Sequence, residues 1–556
     1  MERYMAHLLR GAQIRTRQFL DTQVRDKASV QYGGIRGDIW EAKPTVYVLA
    51  TAAAVWLNED SELFHDQRLY EAMELGLDFV ARAQREDGSF DYPSCNFKSG
   101  ADTAFCFKRL FGAYRLLELY DAGDLPEIKS LKGKYLAVMR KALKFIRQGG
   151  FHTPNHRWGI AAALLQGAGL FAGEEEFARS LRERAGQYLA EGIDGDEYGE
   201  YAERSTGNYN AVVNNAMMAM FEATGDEEFL GYVRRNLDMM LTYIDPDDTI
   251  FTQNSTRQDR GKQEFADKYF YQYLYLCSRE DQPAFDGAAH KIIRDNMERG
   301  GLAPDCLHIV MAHKEMMSHK FTHYGFLEEY RRFYPNSGVL RVKRPGFTYT
   351  VMRGKTAFLY VKRGDLMVHV KLGESYCDIR NFVPEEIAVE GRTETEPAGY
   401  CCRLKAGADG WYYLPFKESP GTSDWWKMDH GKREKLINSH LDTEVVIDEL
   451  EDGLELTVKA DGLDRLPLRL EVCVPAGAVV ENSSFWLKAG AGESVILRGG
   501  YVTVRDSDKG MVMGPGFGEH EFQGHYSGEE INTFGYTIYC NGYTPLEKHF
   551  QIRMTD

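Results

Sequence analysis

Pro335-Asn336-Ser337-Gly338 divides this 556-residue chain into two kinds of sequence. Upstream, apolar residues recur every three or four positions. Val46, Leu49, Ala50, Ala53, Ala54 and Leu57 form one such set, and Cys106, Leu110, Ala113, Tyr114, Leu117 and Tyr120 another. That period lays an apolar face along a helix. Downstream, Val339-Leu340-Arg341-Val342-Lys343, Thr348-Tyr349-Thr350-Val351 and Leu366-Met367-Val368-His369-Val370 alternate or run in short β-rich pieces, a pattern that returns at Leu454-Glu455-Leu456-Thr457-Val458 and Tyr536-Thr537-Ile538-Tyr539-Cys540. Short strands with frequent turns predict an antiparallel β-sandwich. The expected organisation is a helical domain over 1–335 and a β-sandwich domain over 336–556.

The helical half reads as roughly a dozen segments with a polar or glycine-containing break about every 20–25 residues. Asn58-Glu59-Asp60-Ser61, Gly173-Glu174-Glu175-Glu176 and Thr224-Gly225-Asp226 are examples. Each antiparallel hairpin alone leaves an apolar face uncovered, so the hairpins must stack. The predicted fold is an (α/α)n toroid, with n of six, followed by the sandwich. Gln84-x-x-Asp87-Gly88-Ser89-Phe90 resembles a turn of such toroids.

Length alone calls for at least two domains. A formal charge of −16 argues against a nucleic-acid partner, which wants a basic footprint. It also opposes an anionic ligand, although a local Arg/Lys cluster can prevail because screening removes most of the global field beyond about 8–10 Å. Nine scattered cysteines contain no C-x-x-C spacing, so neither a zinc ribbon nor a disulfide framework is indicated. No stretch reaches the length of a membrane span. The segment Met1-Glu2-Arg3-Tyr4-Met5-Ala6-His7-Leu8-Leu9-Arg10 lacks the apolar run of a signal peptide, which reads literally as a cytoplasmic address, or a secreted or periplasmic one if a leader has been removed.

Two segments carry usable chemistry: Pro154-Asn155-His156-Arg157-Trp158-Gly159 and Ser205-Thr206-Gly207-Asn208-Tyr209-Asn210. Pro154 suits the first turn of a helix, whose free N–H groups favour an anion. Asn155 and His156 can donate to a carboxylate there; equally, Asn155 can stabilise the helix start while His156 packs on Trp158. Tyr209 follows a glycine-containing turn at the mouth of the next apolar helix, where its phenol could exchange a proton. Arg204, and Arg257 and Arg260 in Gln253-Asn254-Ser255-Thr256-Arg257-Gln258-Asp259-Arg260, read either as solvated loop cations or as a clamp for a uronate. Arg36 in Tyr32-Gly33-Gly34-Ile35-Arg36-Gly37-Asp38 sits among glycines that suit either a ligand approach or a flexible turn.

Together the two segments resemble the heparinase II/III and alginate lyase group of polysaccharide lyases. Those enzymes also pair an α/α toroid with C-terminal antiparallel sheets. The resemblance implies cleavage of a uronic-acid-containing oligosaccharide or polysaccharide by β-elimination. Asn155 would neutralise the substrate carboxylate, His156 would neutralise it or act as base, and Tyr209 would be the acid/base. Arg204, Arg257, Arg260, Arg36 and Trp158 would bind substrate. Such lyases commonly place glycine after the Asn-His pair, whereas this chain has Arg157-Trp158, a departure that bears on subsite shape. They also use a histidine from the sheet domain; His369, on a predicted strand, and His323, in Thr322-His323-Tyr324, are the candidates. The chemistry requires no cofactor and does not forbid a structural metal.

Two other functions compete. An inverting glycoside hydrolase on the same toroid, of the unsaturated-uronyl hydrolase type, would use paired carboxylates from Asp102, Asp194 and Asp196. A non-catalytic carbohydrate-binding protein would use aromatic platforms such as Trp411, Tyr412, Tyr413, Trp425 and Trp426, though core positions are expected for most of those five.

Overall fold

The computed structural model describes residues 1–121, 123, 125–377, 379–390, 401–521 and 532–555. Two compact units emerge, Met1–Leu327 and Glu328–Asp556. The boundary falls eight residues before the expected 335/336. The strand Tyr330–Tyr334 causes the shift, because it pairs antiparallel with Val339–Arg344 and so belongs to the sheet. Among the described residues no helix is long and apolar enough to cross a membrane.

In the first unit, six helix pairs follow one another among the described residues: α1 (Glu2–Thr22) and α2 (Lys43–Leu57), α3 (Gln67–Ala83) and α4 (Gly100–Leu119), α5 (Pro126–Ile146) and α6 (Pro154–Leu170), α7 (Glu175–Leu189) and α8 (Tyr209–Thr224), α9 (Glu227–Tyr243) and α10 (Phe270–Cys277), α11 (Pro283–Glu298) and α12 (Leu307–Met311). A short α13 (Lys314–Ser318) ends the series. The sequence separates the two rings. Odd helices such as α3 carry one apolar stripe, whereas α2 and α6 are apolar nearly all round and bury most of their residues. A helix without a polar face must lie inside. Accordingly α2 packs on α4, α4 on α6 and α6 on α8, while α1 returns to α11 and α12 and closes the toroid.

A repeated device stitches the outer ring. Gln23, at the end of α1, donates from Nε2 to the carbonyls of Gly33 and Ala72, both at 2.8 Å. Gln84, at the end of α3, does the same to Gly88 (2.9 Å) and Val138 (3.1 Å). One buried amide thus satisfies a turn and the next outer helix together. The turn must press against that helix. At Gly88, with φ of +96°, a Cβ would sit 2.0 Å from the Lys141 carbonyl oxygen.

In the second unit, one nine-stranded sheet runs, among the described residues, from Trp486–Lys488 through Val502–Asp506, Leu546–Thr555 and Lys435–Leu450 to Glu386–Glu390. The other runs from Ser494–Ile496 through Pro467–Pro475 and Leu366–Tyr376 to Tyr330–Tyr334. Pairing is antiparallel except for the edge strand Ser494–Ile496, which lies parallel to Gly535–Tyr543. Val351, Val361, Leu372 and Ile538 from one sheet share a core with Leu404, Ile447, Leu456 and Ile552 from the other, which makes the unit a sandwich. The core expectation for the aromatic run fails: Tyr412, Tyr413, Trp425 and Trp426 are exposed, because the Cys401–Tyr413 and Lys435–Leu450 strands pair with each other as far as Tyr413 and Lys435, where the second strand is also exposed.

Replacing Gly88 by alanine should lower unfolding free energy by about 1–3 kcal/mol, since it adds both φ strain and a clash. Gly133, on an open face of α5 with nothing near its Cβ position, is the control. Gly133→Ala should be neutral or stabilise by up to about 1 kcal/mol. Urea titration of both variants compares them; indistinguishable midpoints would refute the role given to the turn.

Candidate active site

The inner helices begin around one mouth. Lys43 opens α2, Asp102 lies in the first turn of α4, Asn155 and His156 in the first turn of α6, and Tyr209 opens α8. All five line a single cavity of about 1470 Å³ within the toroid. Arg257 lines it too. Its Lys and Arg residues number seven against six Asp and Glu, so the local balance is not that of the acidic whole.

A buried carboxylate links these groups. Glu203 accepts from the Asn155 backbone N–H (3.0 Å) and from Asn155 Nδ2 at both oxygens (3.0 and 2.8 Å). Arg257 Nε lies 3.4 Å from Glu203 Oε1, and its guanidinium carbon stands 5.0 Å from the Tyr209 ring centroid. The Tyr209 hydroxyl donates to Gln258 Oε1 at 3.3 Å. Burial raises the Glu203 pKa, opposed by the Asn155 hydrogen bonds and the Arg257 charge. This corrects the expected direction of Asn155: its amide N–H groups go to Glu203 and to Thr153 Oγ1 (3.0 Å), because a buried carboxylate cannot be left without donors.

Asp259 fixes the loops that carry Tyr209 and Arg257. Its carboxylate accepts from Ser205 Oγ (2.8 Å), Ser255 Oγ (2.6 Å) and the Gly207 N–H (3.0 Å). A Cβ on Gly207 would stand 2.9 Å from Asp259 Oδ2, which explains the glycine two residues before the tyrosine.

His156 packs edge-on against Phe105, and its Nδ1 accepts from the His152 backbone N–H at 3.4 Å. The neutral ring therefore carries its proton on Nε2. Burial lowers its pKa to about 4; Asp102 opposes the shift, while His152, Arg257 and Lys43 reinforce it. Asp102 is buried and pairs with Lys43 Nζ at 2.7 Å and Ser99 Oγ at 2.7 Å. Burial alone would raise its pKa, but Lys43 and Ser99 outweigh burial and hold it below the usual carboxylate range.

Other expected binders lie elsewhere. Trp158 is fully buried and donates from Nε1 to Asp194, while Arg157 is turned to the carbonyls of Tyr188 (2.6 Å) and Gly192 (2.7 Å). Neither lines the cavity, so the Arg157-Trp158 departure falls behind the site, on the packing of α6 against α7. Arg260 is exposed in its loop, Arg204 occupies a left-handed turn (φ +47°), and neither reaches the lining. Arg36 is exposed and outside the lining as well; Gly33 and Gly34 are small because the turn packs on Leu75 and Phe79, not because a ligand approaches. His369 belongs to the second unit, where its ring stacks on Tyr360 and burial lowers its pKa to about 4. His323 stays in the first unit, beside Asp286. Glu203, Lys43 and Asp259 were not anticipated. Each is a single charged residue with no spacing to mark it: Asp259 sits inside the quoted 253–260 segment and Glu203 adjoins Arg204, but Lys43 lies outside every quoted motif.

The fold is shared with polysaccharide lyases. A Paenibacillus xanthan lyase matches all of this chain at a TM-score of 0.56 and 10% identity, and the chain spans 57% of that enzyme's length. Heparinase III matches over 98% of this chain and 85% of its own, at 0.57 and 10% identity. A Streptomyces coelicolor A3 chondroitin AC lyase, solved with chondroitin sulphate, matches over 100% and 80%, at 0.50 and 11%. The sequence itself matches no family model and no curated protein. The helical toroid followed by antiparallel sheets is thus a known lyase architecture.

The low pKa of His156 has a checkable sign. Its folded value lies below that of an unfolded histidine, near about 6.5. Between those two values the unfolded chain binds a proton that the folded ring refuses, so stability falls as pH drops through that window. In a ring-carbon NMR titration, the His156 signal should remain that of the neutral imidazole down to about pH 5. His156→Gln should flatten the same part of the stability–pH curve. A midpoint at or above about 6.5 would show that the ring is open to water.

Proposed function

We propose that this protein is a lyase that cleaves a uronic-acid-containing glycan by β-elimination, leaving a 4,5-unsaturated uronate. The observation that carries the reading is the meeting of Asn155, His156, Tyr209 and Arg257 in one cavity. The polysaccharide-lyase fold agrees with it. The substrate class is an acidic oligosaccharide or polysaccharide, and no cofactor takes part in the proposed steps.

A proton beside an ionised carboxylate resists removal, because its loss pushes further negative charge onto the group. Donors aimed at the carboxylate relieve that charge most strongly in the transition state. In this reading the donors are the Nε2–H of neutral His156 and the Arg257 guanidinium. A histidine held neutral to about pH 4 is a poor base at neutral pH but a sound donor. Tyr209, as its phenolate, then takes the C5 proton, the C4–O4 bond breaks as C4=C5 forms, and the hydroxyl so formed protonates the departing oxygen, which restores the phenolate. Arg257, over the phenol ring, is the cation placed to stabilise charge on that oxygen. Asn155 acts one step back: it holds Glu203, which in turn pairs with Arg257.

The hydrolase alternative needs a protonated carboxylic acid opposite a free carboxylate. Asp102 is ion-paired with Lys43, Asp194 is bonded to the Trp158 indole, and Asp196 accepts the N–H groups of Tyr198 and Glu200 within its own loop. No observation favours it over elimination.

An absorbance screen over uronic-acid glycans tests the reading. A lyase makes a double bond conjugated to the carboxylate, so ultraviolet absorbance rises; a hydrolase of unsaturated sugars makes it fall, and a binding protein changes neither. On the active substrate, Tyr209→Phe should lose at least about 10²–10⁴-fold in turnover while its unfolding midpoint barely moves. Asn155→Ala should lower turnover by about 10²-fold and also lower stability, because Glu203 is stripped of its donors. Full activity in Tyr209→Phe would remove the proposed acid/base.

A further inference from the structure

Away from the cavity, three side chains of different chemistry converge. Cys277 is the last residue of α10, Asp286 lies in the first turn of α11, and His319 follows α13. Cys277 Sγ stands 3.7 Å from His319 Nε2, and that nitrogen stands 2.6 Å from Asp286 Oδ1. The three donor atoms all lie within 4.8 Å of one another. Cysteine and aspartate are buried and the histidine is half-buried.

We propose that Cys277, Asp286 and His319 bind one divalent cation of the zinc class, as a structural staple of the toroid. A thiolate, an imidazole and a carboxylate suit zinc and disfavour calcium and magnesium, which seek oxygen. Tetrahedral zinc, bonded at about 2.3 Å to sulfur and about 2.0–2.1 Å to nitrogen or oxygen, sets an S···N edge of about 3.6 Å and an N···O edge of about 3.3 Å. The first edge already stands at 3.7 Å. The second, at 2.6 Å, is the length of a hydrogen bond, and Asp286 and His319 need only part slightly to admit the ion.

The surroundings support the ligands in the manner of a metal site. Asp286 Oδ2 accepts the backbone N–H groups of Thr322 (2.9 Å) and His323 (2.7 Å), which fixes the carboxylate and leaves Oδ1 for the ion. The fourth position is open to water or to His323, whose Nδ1 lies 3.3 Å from Asp286 Oδ2. In the metal-free protein, protons occupy the ligands: His319 and Asp286 share one, and the Cys277 thiol points to the Leu274 carbonyl at 3.6 Å. Binding releases the thiol proton and forms the metal–sulfur bond; neutral His319 keeps its single proton, on Nδ1. Burial raises the Cys277 pKa to about 12, so the free thiol is inert and the ion must displace its proton. The staple would fasten the end of α10 and the start of α11 to the irregular segment 319–327, where the Gly325 N–H also donates to the Gly287 carbonyl of α11.

Cobalt(II) is the probe. The tagless, chelator-stripped full chain should take up about one equivalent with release of about one proton per ion, and show a thiolate-to-cobalt charge-transfer band that zinc then abolishes. Cys277→Ser should lose the band and His319→Gln should weaken binding at least about tenfold, the usual order for losing a ligand's support. Cys95→Ser, at an exposed cysteine, should keep it. Should a variant fail to fold, the wild-type band and its stoichiometry decide. Absence of the band in folded wild type, or its survival in folded Cys277→Ser, would overturn the site.

Discussion

The carboxylate of Glu203 is the constraint around which the candidate site is organised. A charge removed from water must be matched by donors and cations, or the fold loses several kcal/mol. Glu203 satisfies that demand from the start of α6, through Asn155, and from the 252–260 loop, through Arg257. Thr256 adds a bond to the Glu203 carbonyl at 2.8 Å. Two segments far apart in sequence are thereby held at a fixed separation, and Tyr209, six residues beyond Glu203, is delivered beside Arg257. Stability and preorganisation arise from the same contacts, so in the proposed reaction the groups that stabilise charge would need little rearrangement.

The toroid explains why such a site can form where it does. Apolar-all-round inner helices must face one another, and their pairing with outer helices makes every inner helix run the same way. Their N-termini consequently gather at one mouth. Lys43, Asp102, Asn155, His156 and Tyr209 are all first-turn residues of inner helices. Backbone N–H groups without intrahelical partners and the positive ends of the helix dipoles add to the attraction for an anion there. The glutamine-bridged turns at Gln23 and Gln84 fix the spacing of the outer ring, and with it the diameter of that mouth.

The fold was legible because period is a strong signal: the change at Pro335–Gly338 marked the two units to within eight residues. The error at the boundary came from Tyr330–Tyr334, whose aromatic and arginine content hides a strand at a sheet edge. Site residues were legible where a helix start carried two polar groups in succession, as at Asn155-His156. They were illegible where a single charge acts across space. Nothing in the order Tyr201-Ala202-Glu203-Arg204 says that the glutamate is buried and the arginine turned from the cavity, because that choice is made by the left-handed turn at Arg204 and by the partners waiting in α6. Arg36 and Trp158 misled for the converse reason: their neighbours had the look of a binding loop, yet Gly33 and Gly34 serve packing, and the indole serves Asp194.

The acidic charge of the protein bears on how the proposed site would select its ligand. At −16, the molecule repels polyanions at long range in dilute salt. At physiological ionic strength that repulsion fades beyond about 8 Å, leaving recognition to the near balance of seven cations and six anions inside the cavity. Several of those cations are already committed: Lys43 to Asp102, Arg109 to Asp305, Lys268 to Glu264. A binding site built in this way offers an incoming carboxylate few uncommitted charges and many oriented dipoles. In the proposed reaction, affinity would then depend on placing one carboxylate at the His156–Arg257 corner rather than on total charge. That is the electrostatic arrangement the proposed elimination would require, since stabilising the charge that develops at that one carboxylate is what lowers the barrier.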